Sequence, residues 1–202
     1  MRKPRRIRRV LGYFVVPTTI LVTGVFVSAS SYSVFNAKTQ NAANSWSAGT
    51  VALQADGTSG GASGTAMFAA NVSPGTQGTK CITVTSNGTT PSIVKLYGAN
   101  ESGTNGLDQY LTLQVRVGTG SATTGGTCPS DFAATSTVFS AAHLNTFPSG
   151  GYANGIDTTW HPTGTGNDSR VFEFTYTMDS GAPSTTQSGT AHIDFVWEAQ
   201  NS

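Results

Sequence analysis

Charge is scarce in this sequence. Asp, Glu, Lys and Arg together make up 10% of its 202 residues, and their distribution is lopsided. Six of the eleven basic residues, Arg2, Lys3, Arg5, Arg6, Arg8 and Arg9, fall in the first nine positions. Beyond them Lys38, Lys80, Lys95, Arg116 and Arg170 face ten acidic residues, a net of −5 that the formal +1 of the whole chain conceals. A mildly acidic, Ser/Thr/Gly-rich chain without a basic cluster lacks the electrostatic footprint of a nucleic-acid binder, so nucleic acid is not an expected partner. Cysteine is nearly absent too. Cys81 and Cys128 are the only two, too far apart for a closely spaced redox or metal pair.

Several chemical signatures are also missing. There is no His-Glu-x-x-His, which a common zinc protease needs to set two imidazoles and a water-holding carboxylate on one helix face. His143, His161 and His192 are widely spaced. Asp157 and His161 stand four apart, but Pro162 and the surrounding glycines put them in a loop, where an exposed pair is the plain reading. His192 and Asp194 fall on one face of an alternating segment, about 7 Å apart along a strand, and read as a solvated polar face. No serine sits in a Gly-x-Ser-x-Gly elbow between a strand and a helix. With no ordinary helix after residue 30, no glycine-rich loop can deliver phosphate to a helix N-terminus. The expectation is therefore no catalytic residues, no metal ligands and no cofactor.

What is present begins with a leader. The basic residues of 1–9 precede a mostly apolar run at 10–27, and small residues follow at Ser28, Ala29 and Ser30. Basic, apolar and small-residue regions in that order make a secretory signal peptide, here 1–29. A retained anchor helix is the alternative, although Gly12, Pro17 and Gly24 weaken it. The rest, 30–202, is long enough to bury one core and is expected to be a single domain. In an oxidising compartment Cys81 and Cys128 read as one structural disulfide closing a long loop.

The strand pattern is clearest near the end. Phe172, Phe174, Tyr176 and Met178 alternate with Val171, Glu173, Thr175 and Thr177; Ile193, Phe195 and Trp197 alternate with His192, Asp194, Val196 and Glu198. Period two means one buried and one wet face, so Phe174 and Phe195 are core residues, Glu173 is solvated, and the pair closes the chain as a sandwich edge. Leu111, Leu113, Val115 and Val117 form the cleanest strand in the middle. Residues 80–86 and 92–97 flank Asn87-Gly88 and read as a β-meander. Residues 118–166 carry little pattern beyond a strand at 135–140, a helical turn at 141–145 and Trp160, which can tuck the excursion onto the core. About eight short strands separated by turn signals predict an all-β, antiparallel two-sheet sandwich of jelly-roll or immunoglobulin-like type. Asn71, Asn87, Asn100 and Asn167 each open an Asn-x-Ser/Thr triplet suited to surface turns.

Three places carry a family resemblance. The stretch 33–39, leading through Asn44 and Trp46 to 48–53, resembles the opening of mature TasA/CalY/camelysin proteins. Val72-Ser73-Pro74-Gly75 followed by 82–89 resembles their Pro-Gly, strand and Asn-Gly segment, and 172–175 with Ala182-Pro183, 187–189 and 193–199 is similar to their closing strands. The resemblance covers both ends and the first third, and 118–166 poorly. It implies a secreted jelly-roll protein of the cell surface or extracellular matrix, processed by a dedicated signal peptidase. Such a protein assembles with itself into biofilm-matrix fibres, with other matrix or cell-wall components as possible partners. In that family an extended N-terminal segment can complete a neighbour's sheet. Here the segment is 30–49, with Tyr32, Val34, Phe35 and Trp46 as its apolar residues, and folding back as the first strand of its own sandwich is the other outcome. Two further readings stay open: a secreted camelysin-type metalloendopeptidase, and a carbohydrate-binding or adhesive module stacking sugars on exposed Trp46, Trp160 or Tyr152.

Overall fold

The computed structural model describes residues 36–40, 53–55, 71–123 and 126–202. The leader 1–29 and Tyr32, Val34, Phe35 and Trp46 lie outside the described residues. Among the described residues nine strands follow in order: β1 (Asn36–Gln40), β2 (Leu53–Ala55), β3 (Gln77–Ser86), β4 (Ser92–Gly103), β5 (Leu111–Thr119), β6 (Ala133–His143), β7 (Ile156–Asp157), β8 (Asp168–Met178) and β9 (Ala191–Asn201). They form two sheets, ordered β1-β9-β4-β7 and β2-β3-β8-β5-β6. Every pairing between these strands is antiparallel. The all-β two-sheet class expected from the alternation is the one observed. The helical turn expected at 141–145 is a 3-10 turn at Leu144–Thr146.

The core forms where the inward residues of the two sheets meet. Phe174 packs on Phe195 with ring centroids 4.5 Å apart and on Trp197 at 6.0 Å, and Phe172 meets Trp197 at 5.4 Å. Leu113, Val115 and Val117 of β5 are buried beside them, as are Val94 and Leu96 of β4. Non-sandwich ring geometries such as these each add about 0.5 to 1.5 kcal/mol beyond the area they bury. Two expectations need correction. β8 and β9 are not a sandwich edge; each lies inside its own sheet, and they face one another across the core. Nor do β3 and β4 form a meander. They belong to different sheets, because Ile82 and Val84 must face Val94 and Leu96 across the core rather than lie beside them.

The weakly patterned middle seals strand edges. After β5, residues 120–123 and 126–132 cross the outer face of β3 and β8 and reach the stretch of β3 that β2 leaves open. There the Cys81 amide donates to the Gly126 carbonyl at 3.0 Å, the Thr83 amide donates to Thr123 Oγ1 at 2.9 Å, and the Thr123 amide donates to Thr83 Oγ1 at 2.8 Å. Cys81–Cys128 is a disulfide, with Cα atoms 4.7 Å apart and 47 residues of separation. On the other sheet, residues 148–162 line β4. Ser92, Val94 and Gly98 amides donate to the carbonyls of Pro162, Trp160 and Pro148 at 3.0, 3.2 and 2.8 Å. Trp160 is 2% exposed and tucks this segment onto the core, its ring 6.4 Å from Phe172. Each amide so paired escapes the cost of about 1 to 3 kcal/mol for a buried, unmade hydrogen bond.

Candidate functional site

The residues that the sequence marks for chemistry stay apart in the fold. His143 ends β6, His161 lies in the loop after β7, and His192 is near the start of β9 in the other sheet from β6. His161 Nε2 stands 3.4 Å from Asp157 Oδ1, with more than half of both side chains exposed, an exposed loop pair. His192 Nε2 stands 3.3 Å from Asp194 Oδ1 on the outward face of β9. Asn100, at the bulge where β4 shifts register against β9, donates its Nδ2 to Asp194 Oδ2 at 2.7 Å. Ser102 is the cross-strand neighbour of His192, so serine, imidazole and carboxylate do follow one another here. Ser102 and His192 are exposed there, and the carboxylate, its side chain 12% exposed, is shared with an amide rather than given over to orienting the imidazole as a nucleophile-activating triad requires.

The aromatic platform is not available at two of its three positions. Trp160 is buried, and its Nε1 donates to Asp168 Oδ2 at 2.9 Å. Tyr152 is half-buried and donates its hydroxyl to the Ile93 carbonyl, while the Lys95 ammonium covers its ring 4.8 Å from the centroid. Burial, then the nearby Asp157 and Glu198 charges, raise the Tyr152 phenol above its ordinary range. Trp46 lies outside the described residues.

The most developed polar arrangement is one that period-two reading assigns to solvent. On the outer face of the five-stranded sheet, Cys81, Glu173 and Arg116 are successive cross-strand neighbours on β3, β8 and β5. Glu173 is 9% exposed, contrary to the solvated position expected for it. The loop after β5 covers this half of β8, so Val171 on the same face is buried as well. Arg116 donates Nε and a terminal nitrogen to Glu173 Oε1 at 2.7 and 2.5 Å, and its guanidinium lies over the Phe132 ring at 5.8 Å. The two sulfurs and a Glu173 carboxylate oxygen lie within 4.8 Å of one another, the one group among the described residues with three side chains able to hold a metal. While the disulfide stands, neither sulfur is a thiolate, the form that ligates. The loop also closes on itself. The Ser121 amide and hydroxyl both donate to the Asp131 carboxylate, at 3.0 and 2.7 Å, and hold it below the usual aspartate range.

A second buried carboxylate lies on the four-stranded sheet. Glu198, 2% exposed, accepts from the Tyr97 hydroxyl at 2.8 Å, and Val196 beside it is buried too, so β9 is another strand covered on both faces. Alternation alone misses both carboxylates; the signal for Glu173 is an opposite charge at Arg116 on another strand, visible only once register joins them. No protein-family model matches this chain, and no curated protein matches it.

Proposed function

We propose that this chain is an exported structural protein of the cell surface or extracellular matrix, built as a jelly-roll-type sandwich, whose subunits join by exchanging β1. Signal peptidase removes 1–29, and the partner is another copy of the chain, with matrix or cell-wall components alongside. The observation that carries the reading is the distribution of strand edges. Loops line β3 and β4, and β7 is two residues long. β6 is a long edge, but three register irregularities against β5 twist and interrupt it, a common device against edge pairing. β1 differs. It is the outermost strand of its sheet and pairs with β9 in unbroken register, from Asn36 opposite Gln200 to Gln40 opposite Val196. A short terminal strand in that position makes the same main-chain bonds on its own β9 or on a neighbour's, and head-to-tail repetition of the second arrangement gives an open filament.

Support for the rest is of two kinds. Strand succession crosses between sheets at β1/β2, β3/β4, β4/β5, β6/β7, β7/β8 and β8/β9, in keeping with jelly-roll winding. A disulfide suits an oxidising compartment. The test is electron microscopy and sedimentation of protein beginning at Ser30. Deleting 31–39 should leave a folded, soluble monomer that forms no fibres and does not join wild-type ones. A second variant, Ala37→Cys with Ala199→Cys, bridges directly opposed residues and locks β1 onto its own β9. It should fold and stay monomeric until reduced. Fibres from the locked variant, or failure of the deleted one to fold, would refute strand exchange.

A further inference from the structure

The disulfide is asymmetric in its surroundings. Cys81 is fully buried in β3, whereas Cys128 is partly exposed on the loop that crosses β8. Besides this bond, the loop is held to β3 by the reciprocal Thr83–Thr123 contacts and by the Cys81 amide on Gly126. We propose that residues 120–123 and 126–132 form a flap that a low-molecular-weight thiol releases by entering at Cys128, with Glu173 and Arg116 setting how readily it does so. This is independent of β1 exchange.

Thiol–disulfide exchange proceeds by attack of a thiolate on whichever sulfur it can reach, and its rate depends on how well the other sulfur leaves. Here the incoming sulfur bonds to Cys128 Sγ as the Cys81–Cys128 bond breaks. Cys81 departs as a thiolate and takes a proton. A second thiol then attacks the sulfur of the first, freeing Cys128 as a thiol and producing the oxidised form of the reductant. One disulfide is reduced and one is formed, so electrons and protons balance. The Cys81 thiolate is born within 4.8 Å of the Glu173 carboxylate. That like charge opposes its departure, and the Arg116 guanidinium bound to the carboxylate offsets part of the opposition. Glu173 and Arg116 thus act as positioning residues with opposite signs. Once the bond is cut, the flap keeps its hydrogen bonds to β3 and the Phe132–Arg116 contact but loses its covalent tie, and its opening uncovers the Cys81 and Thr83 amides on the β3 edge together with the Arg116–Glu173 pair.

The experiment uses the folded protein beginning at Ser30, with glutathione as the thiol and no denaturant. Acid-quenched early samples should carry glutathione on Cys128 and not on Cys81. Glu173→Gln should speed the first step about fivefold, and Arg116→Gln should slow it by a similar factor, from a like charge at this distance and the leaving-group dependence of the exchange. After full reduction, the Cys81, Thr83 and Thr123 amides should exchange hydrogen at least about tenfold faster while Phe172 and Phe174 keep their protection, the pattern of a local opening. Glutathione found first on Cys81 would overturn the entry route. Equal acceleration in both variants would reduce Glu173 and Arg116 to simple packing. Exchange rising alike across β8 would make the bond a global staple rather than a latch. Should a variant fail to fold, the mapping and exchange on the unaltered chain still decide the entry route and the latch.

Discussion

Replacing Arg116 by alanine strands a carboxylate on the covered face of β8, and replacing Glu173 strands a guanidinium at the rim of the same cover. The two losses should differ. The Glu173 side chain is 11% exposed and that of Arg116 40%. Breaking a fully buried pair from one side costs about 3 to 5 kcal/mol, most of it the unpaired charge, and an exposed pair contributes about 0 to 1 kcal/mol. Glu173 left alone sits close to the first case, so Arg116→Ala should cost about 2 to 3 kcal/mol. Water already reaches Arg116, which brings Glu173→Ala down to about 1 kcal/mol. The double substitution should cost less than the two singles together, because it strands no charge. Equilibrium urea unfolding with the disulfide intact measures all three, provided the m-value is unchanged. A Glu173→Ala variant within about 0.5 kcal/mol of wild type, as for an uncovered surface residue, would refute the reasoning, and so would the reverse order of the two singles.

Phe174→Ala should cost about 3 to 5 kcal/mol by the same assay, since the ring is fully buried against Phe195 and Trp197, and a loss below about 2 kcal/mol would place the packing centre elsewhere. Gly118→Ala sets a Cβ 2.1 Å from the Ala133 carbonyl oxygen, backbone that cannot step aside, and should cost about 1 to 3 kcal/mol. Gly181→Ala, whose Cβ meets Asp179 Oδ1 at 3.4 Å, should stay within about 0.5 kcal/mol. Because Ser121 lowers the folded-state pKa of Asp131, first through its amide and then its hydroxyl, this contact favours the closed loop above the unfolded aspartate pKa and is lost as pH falls through the lower folded value. The Ser121 amide resonance should titrate with a midpoint below the ordinary aspartate range and lose that step in Asp131→Asn; an unmoved resonance would count against the contact.

Strand identity and the inward face follow from the chain alone. Leu113, Val115 and Val117, or Phe172 and Phe174, can be buried together only if the backbone is extended and every second residue points the same way. Trp160 was legible as an anchor for the unpatterned middle, because a large ring in a Gly-rich stretch has little to bury it locally. Neighbour relations were not legible. Asn87-Gly88 permits a reversal of the chain equally well within one sheet or between two, and the choice falls to whether Val84 and Leu96 gain more by lying side by side or face to face. The second burial layer is likewise tertiary. Glu173, Val171, Val196 and Glu198 alternate as a wet face should, yet they are covered. For Glu173 and Val171 the cover is a loop some forty residues earlier, tied down by Cys128 and by Thr123. Alternation records only which way a side chain points; whether water waits there depends on segments that reach it through sheet pairing and a cross-link, over distances that local periodicity does not encode.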